Sequence, residues 1–367
     1  MGSREIWKEL DATNIRILTA MTTAGPRNLL GVARLCGLPF TTVYHRIARL
    51  ECMVNVGFLI PCHSKLGLVR TVVLAHANPG VGERVTKALK IPGMWRIIEP
   101  WEGTYTHRSV QLVPLEYLDA FKEYISTIEA MHLISTHEFT STGDLTPIFP
   151  NFSYYNPRTY EWLFKWDEWL RDLESAPVDI VPETPPSNNP VHYDSIDLHI
   201  IAYLELNARF SFSEMASKIG VSPQTVKDRY YTKLVPNGIV KHFEINVQPY
   251  PTEMLASHNI ILHFSNETQM GRFHSLAKHQ LFFIQEFAKV QGENTLSLTT
   301  RTPHQQVPQM LWFFSRLCED GHLNDYSAAR RDLFHRETST INPNIFDDAK
   351  GKWIFDIYSN LLRLNQL

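Results

Sequence analysis

The stretch Asp194–Phe243 opens Asp194-Ser195-Ile196-Asp197-Leu198-His199-Ile200-Ile201 and closes Asn237-Gly238-Ile239-Val240-Lys241-His242-Phe243. It predicts three short helices followed by a hairpin. Asp194 can cap the first helix, and Ile196, Ile200, Ile201 and Leu204 give it one apolar face. Ser211 and Glu214 form a Ser-x-x-Glu capping box for the second, whose inward residues are Met215, Ala216 and Ile219. Gly220 suits the left-handed position that ends a helix, and Ser222-Pro223 is a cap followed by proline at the first helical position. Val226, Tyr230 and Leu234 turn the third helix inward, and Asn237-Gly238 leads by a tight turn into an extended run. The order is that of a winged helix-turn-helix.

The same pattern lies 183 positions earlier without a gap. Asp11, Asn14 and Ile17 fall under Asp194, Asp197 and Ile200; Asn28 under Ser211; Ala33 under Ala216; and Gly37 under Gly220. Thr42-Val43-x-x-Arg46 falls under Thr225-Val226-x-x-Arg229. Agreement at capping, apolar and turn positions together marks a tandem duplication.

Each helix-turn-helix precedes a run that reads βαββαβ, the split βαβ pattern. In the first, strands are expected at Val69–His76, Met94–Glu99, His107–Val113 and His132–Phe139, with helices at Val81–Lys90 and Leu115–Met131. In the second, the strands fall at Ser257–Phe264, Phe282–Ala288, Thr295–Thr300 and Leu323–Ser327, with helices at Thr268–Lys278 and Pro303–Asp320. Gly103 and Pro114 map onto Gly292 and Pro303 at a common offset of 189. The expected fold is α+β: two winged helix-turn-helix domains (1–62 and 194–247), each followed by a ferredoxin-like domain (66–140 and 254–330), forming an internal pseudo-dimer. A connector at 141–174 carries Trp162, Trp166 and Trp169, read as the packing stripe of a helix that starts after Asn156-Pro157. Trp353-Ile354-Phe355 in the tail, 331–367, echoes Trp162-Leu163-Phe164 and implies that the repeat includes a terminal helix on its own or the other half. Residues 175–193 hold five prolines and read as an extended linker.

Composition narrows the function. The 367 residues carry a formal net charge of -3, 44% hydrophobic and 20% charged residues, as in ordinary globular protein. No apolar run approaches a membrane span and the first residues lack a signal-peptide core, so a cytoplasmic protein with no membrane partner is expected. Four cysteines without a CxxC pair suit a reducing compartment and argue against structural zinc. There is no P-loop, Gly-rich nucleotide fingerprint, His-Glu-x-x-His or nucleophile elbow, so no catalytic residues, metal or cofactor are assigned and the chain is not expected to be an enzyme.

Charge is uneven along the chain. Residues 1–70 carry nine Lys/Arg against four acids, residues 194–247 carry six of each, and residues 141–190 carry three basic residues against eight acids. Phosphate neutralisation dominates duplex affinity, so the first helix-turn-helix is expected to be the stronger binder of double-stranded DNA. On its recognition helix, Phe40–Leu50, Val43, Ile47 and Leu50 face inward. Thr41, Thr42 and Tyr44 are base-contact candidates, and His45, Arg46 and Arg49 are phosphate candidates. Arg46 fits equally well as an internal structural pair. In the second module Gln224 and Thr225 are the base readers, with Lys227, Arg229 and Lys233 on phosphates.

The motif Asp194-x-x-Asp197-x-x-Ile200-Ile201, Asn207-Ala208-Arg209, Ser222-x-x-Thr225-Val226-x-x-Arg229 and Gly238-Ile239-Val240 resembles the Lrp/AsnC (feast/famine) regulators. The resemblance is specific in the second module and looser in the first, where Pro39 occupies the capping position of Ser222. It implies a ligand-sensing (RAM-like) βαββαβ domain, dimers built through that domain, and here a fused dimer with two unlike readers, with pairing of such chains into a homo-oligomer as a further step. Family members take an amino-acid effector at a Gly-x-x-Asp turn between the second and third sensing strands. Here the matching turns are Gly103-Thr104-Tyr105-Thr106 and Gly292-Glu293-Asn294-Thr295, with Thr where the Asp would bind an ammonium group. A neutral hydroxyl forfeits that charge-assisted bond, so free α-amino acids are not expected to bind tightly, and a different small-molecule effector stays open. Siroheme decarboxylases are similar in architecture and give an enzymatic alternative, although the sixteen histidines are scattered and no His-Asn-Tyr-like stretch follows Gly93. A co-regulator acting through protein partners is the third reading, suggested by the near-neutral second module.

Overall fold

The computed structural model describes residues 10–50, 54–91, 96–101, 104–159, 161–181, 191–247, 254–332 and 335–364. The first helix-turn-helix consists of α1 (Ala12–Ala24), α2 (Leu29–Cys36) and α3 (Phe40–Leu50). Asp11 caps α1 by accepting from the Asn14 amide, Asn28 caps α2, and Gly37 ends α2 at φ 59°. Strand β1 (Val54–Ile60) leads into β2 (Leu68–Ala77), α4 (Gly82–Leu89), β3 (Arg96–Pro100), β4 (His107–Pro114), α5 (Leu118–Ala130) and β5 (Ile134–Thr142). The connector holds β6 (Thr146–Pro147), a hairpin of β7 (Tyr155–Asn156) and β8 (Glu161–Trp162), and α6 (Trp166–Ser175).

The second half repeats this order. Helices α7 (Ser195–Leu206), α8 (Phe212–Ile219) and α9 (Pro223–Arg229) form its helix-turn-helix, and α9 runs on through Leu234 in a wider π-type turn. The capping box at Ser211/Glu214, the Ser222 cap and the left-handed Gly220 (φ 82°) are as expected, and Asp194 adds a second box with Asp197. Then follow β9 (His242–Val247), β10 (Leu255–Phe264), α10 (Glu267–His279), β11 (Ile284–Lys289), β12 (Thr295–Pro303), α11 (Val307–Glu319) and β13 (Leu323–Arg330). The tail carries β14 (Glu337–Ser339), a hairpin of β15 (Phe346–Asp347) and β16 (Lys352–Trp353), and α12 (Ile357–Leu364).

Three sequence expectations are corrected. The segment after Asn237-Gly238 forms no wing hairpin within its module: β9 pairs antiparallel with β1 of the other half, from Val54↔Val247 to Ile60↔His242. The two strands satisfy each other's backbone groups across the duplication. The tryptophan stripe is not one helix, because Trp162 lies on the β7–β8 hairpin and the helix begins at Trp166. Its rings still pack, with Trp162 4.6 Å from Phe282 and Trp166 5.1 Å from Trp169. Finally, the linker is partly docked: Asp179 bonds His274 at 3.2 Å and Lys278 at 3.3 Å on α10.

The tails settle where the terminal helices pack: each crosses to the other half. β6 extends the second sheet, giving the order β13-β10-β12-β11-β6, and β14 extends the first, β14-β3-β4-β2-β5. Helix α6 lies on α10 and α11, and α12 lies on α5. The buried apolar residues of the first helix-turn-helix run on through Trp166 and Trp169 into Phe273, Phe283 and Phe313 of the second α/β unit. Those of the second helix-turn-helix run on to Leu59, Leu66 and Leu68 of the first half. Neither half closes its own core, so burial of apolar surface binds the two together. Among the described residues no helix is long and apolar enough to cross a membrane.

Candidate nucleic-acid interface

Both recognition helices are fixed by one ion-pair device. Arg46 on α3 donates to Asp11 at 2.9 and 2.7 Å and to the Asn14 side chain at 3.1 Å. Arg229 on α9 donates to Asp194 at 2.6 and 2.7 Å and to Asp197 at 3.1 Å. Lys233 adds a 2.5 Å bond to Asp197, which is wholly buried. Burial pushes the Asp194 carboxyl up, but the Arg229 hydrogen bonds, the Asp197 amide and the Arg229 charge outweigh it and hold it below its ordinary value. The cap of the first helix is thereby the anchor of the third. Arg229 and Lys233, the phosphate candidates of the second module, are thus engaged within the motif, and Arg46 makes the internal pair that was one of its two expected roles.

The outward face of α3 keeps Thr41, Tyr44, His45 and Arg49 exposed, with Thr42 half-buried. Tyr44 stacks on Phe40 at 6.3 Å and meets His45 edge-on at 5.6 Å, so this face carries an aromatic surface. On α9, Gln224 and Lys227 are exposed. The Gln224 amide donates to Asp228 at 2.6 Å, and the Thr225 hydroxyl sits 2.8 Å from the capping Ser222 hydroxyl. The Thr225 hydroxyl is thus engaged with the cap of its own helix.

Sequence reasoning missed a clasp between the modules. Arg27, in the α1–α2 turn, donates to the carbonyls of Ala208 at 2.5 Å and Phe210 at 2.7 Å in the α7–α8 turn. Its guanidinium lies over the rings of Phe212 and Tyr230. Arg209 lies near Tyr44 of α3, reaching across in the opposite direction. The available signal was an arginine in each short turn, one residue out of register in the repeat.

At the candidate effector turns the threonine hydroxyls are bonded within the chain. Thr106 accepts from the Ala77 amide at 2.8 Å, and its hydroxyl lies 2.8 Å from His107 Nδ1. Thr295 donates to Glu293 at 3.0 Å and lies 3.0 Å from His263 Nδ1, while Gly292 takes φ 74° in the turn. Gly103 lies outside the described residues. Among the described residues no group of His, Cys, Asp and Glu is arranged to hold a metal ion. Cys62 sits at the start of the short helical turn His63–Leu66. Burial, with Asp144 nearby, pushes the Cys62 thiol up to about 11, and His63 faces Glu205 at 3.4 Å.

Two helix-turn-helix modules, each followed by a βαββαβ unit, define a tandem Lrp/AsnC-like architecture. Residues 194–231 match the AsnC-type helix-turn-helix domain. Over nearly the whole chain the fold is similar to the crystal structure of the siroheme decarboxylase NirDL: 11% identity, TM-score 0.54, covering 96% of this chain and 98% of that one. The same protein in co-complex with an iron-uroporphyrin III analogue matches at 10% identity and TM-score 0.54, covering 90% and 94%. The structure of E. coli AsnC matches at 14% identity and TM-score 0.29, covering 36% of this chain and 91% of that one. No curated protein matches the sequence significantly.

Proposed function

We propose that the chain is a sequence-specific, DNA-binding transcriptional regulator of Lrp/AsnC type, not an enzyme, whose two unlike readers sit on one pseudo-dimeric scaffold in the cytoplasm. The observation that carries this reading is the AsnC-type helix-turn-helix at 194–231 together with its exposed Gln224 and Lys227. The +5 charge of residues 1–70 and the exposed Thr41, Tyr44, His45 and Arg49 support the first module as the stronger phosphate anchor. Two readers fused in one chain suit an asymmetric or imperfectly palindromic site. The bonded hydroxyls of Thr106 and Thr295 support a regulator without a free α-amino-acid effector at those turns.

The test is a fluorescence-anisotropy titration against the chain's own upstream DNA and a scrambled duplex over a salt series. Preference for the upstream duplex, with affinity falling steeply as salt rises, is the expected result. Equal weak binding to both would remove the regulator reading. The second reading, a tetrapyrrole enzyme, has the full-length likeness to the siroheme decarboxylase NirDL as its support. Its arm of the test is an absorbance titration with iron-uroporphyrin III.

A further inference from the structure

The two sheets are bridged to each other along both of their sides, so that a face of one lies over a face of the other. Thr142 at the end of β5 bridges to Val290 beside β11, and Trp101 after β3 bridges to Arg331 after β13. Between the halves lies a buried ionic network. Glu99 accepts from Arg108 at 2.6 Å within its own half and from Arg331 Nε at 3.1 Å across the junction. Arg331 also donates to Thr299 at 3.3 Å, and Thr299 to Glu286 at 3.1 Å. Arg70 is within electrostatic range of Arg108, Arg331, Glu99 and Glu286, and Arg301 of Arg331, Arg336, Glu244 and Glu286.

Four arginines of this network, with Arg336 at its margin, face three carboxylates, and arginine keeps its proton in proteins. The excess of positive charge coincides with donors that have nothing to bond. Arg70 Nε, Arg108 Nε, and both Nε and Nη1 of Arg301 are buried without a hydrogen-bond partner. Arg70 is 5% exposed and Arg108 2%. Buried donors are satisfied in nearly all native structures, and buried charges are paired or ligated.

We propose that this junction, at Arg70, Arg108 and Arg301, is a binding site for a compact oxyanion, a carboxylate or phosphate group. A planar oxyanion or a phosphate presents several acceptors to guanidinium forks and supplies the missing negative charge. Arg301 is only partly buried and gives the site its edge towards solvent. The site draws on both halves, so it exists only in the assembled pseudo-dimer. It is separate from the turns at Thr106 and Thr295 and does not rest on DNA binding.

Calorimetric titration of the full chain with inorganic phosphate, and separately with citrate, at an ionic strength held constant with sodium chloride tests this. A saturable single-site isotherm for one of the two is expected, and which one binds distinguishes phosphate from carboxylate chemistry. Arg301→Gln should weaken it by about tenfold or more, while Arg316→Gln on the exposed face of α11 should not. Arg301→Lys, which keeps the charge and loses the fork, gives the same reading should the glutamine variant not fold. No saturable heat with either anion, or binding unchanged in the Arg301 variants, would overturn the proposal.

Discussion

The guanidinium of Arg27 lies 4.7 Å from the ring centroid of Phe212, although the two residues belong to different helix-turn-helix modules. Phe212 opens α8 and Tyr230, the other ring beneath Arg27, follows α9 in its π-type turn, so the clasp holds one helix-turn-helix against the turn of the other. In a chain with two readers, the distance between recognition helices selects the half-site spacing. Arg27 thus links a packing contact to the geometry of recognition.

Arg27→Ala should lower stability by about 1–3 kcal/mol, because two carbonyls lose a charged donor and two rings lose a cation. Duplex affinity should become less sensitive to half-site spacing. Urea denaturation and a titration series of duplexes with varied spacers check both effects.

Arg229→Met should destabilise the second module by about 1–3 kcal/mol, since Asp194 and Asp197 lose a shared donor. The paired substitution Arg46→Met should cost less, because Arg46 and Asp11 are more exposed than Arg229 and Asp197. Equal losses on thermal denaturation would contradict this ordering.

Glu99→Gln should be the most damaging of these changes, about 3–5 kcal/mol, because Arg108 and Arg331 would stay buried without their counter-charge. Burial pushes the Glu99 carboxyl up, but Arg108 and Arg331 outweigh it and hold it below its ordinary 4.5. A depressed carboxylate contributes stability that is complete above its unfolded value and is lost as pH falls through the folded one. Wild-type stability should therefore fall on acidification below about pH 4.5, and the variant's profile should be flatter there. Denaturation midpoints across pH 3–7 read this out.

Arg49→Ala should weaken DNA binding and reduce the slope of log affinity against log salt by about one, as expected for one lost phosphate contact. Lys233→Ala should leave that slope unchanged, because Lys233 is bonded to the buried Asp197. Parallel salt titrations of the two variants decide it.

Gly271→Val should release the strap at 176–181, because a Cβ on Gly271 would run into the Asp179 carbonyl and the Val178 side chain. A loss of about 1–3 kcal/mol is expected, with faster proteolytic cleavage after α6. Unchanged cleavage would mean that the strap does not depend on this close approach.

Much of the fold was legible because it rests on short-range chemistry. Asp194, Ser211 and Ser222 cap helices whose amides lie two or three residues away, and Gly220 ends one through its own φ. The strand Leu68–Ala77 was legible from the β-branched run within Val69–His76. The outward residues of α3 followed from helical period alone, since Val43, Ile47 and Leu50 are buried. The failures were equally specific. Trp162 was placed on a helix because its spacing from Trp166 and Trp169 fits a helical period, which cannot show that Trp162 ends a hairpin strand and that the helix starts only at Trp166.

What the sequence determined by itself was the duplication, the element order and the capped helix-turn-helix, all written in local pattern and in repetition at fixed offsets. Only the tertiary structure decided that β9 pairs with β1, that each tail covers the other half, and that Arg229 and Lys233 pair with Asp194 and Asp197. It alone also brought Arg27 onto Phe212 and Arg331 onto Glu99. The physical reason is that a charge's partner and a strand's neighbour are set by distance in space. Residues 181 to 232 positions apart carry no local signal of where the chain will bring them.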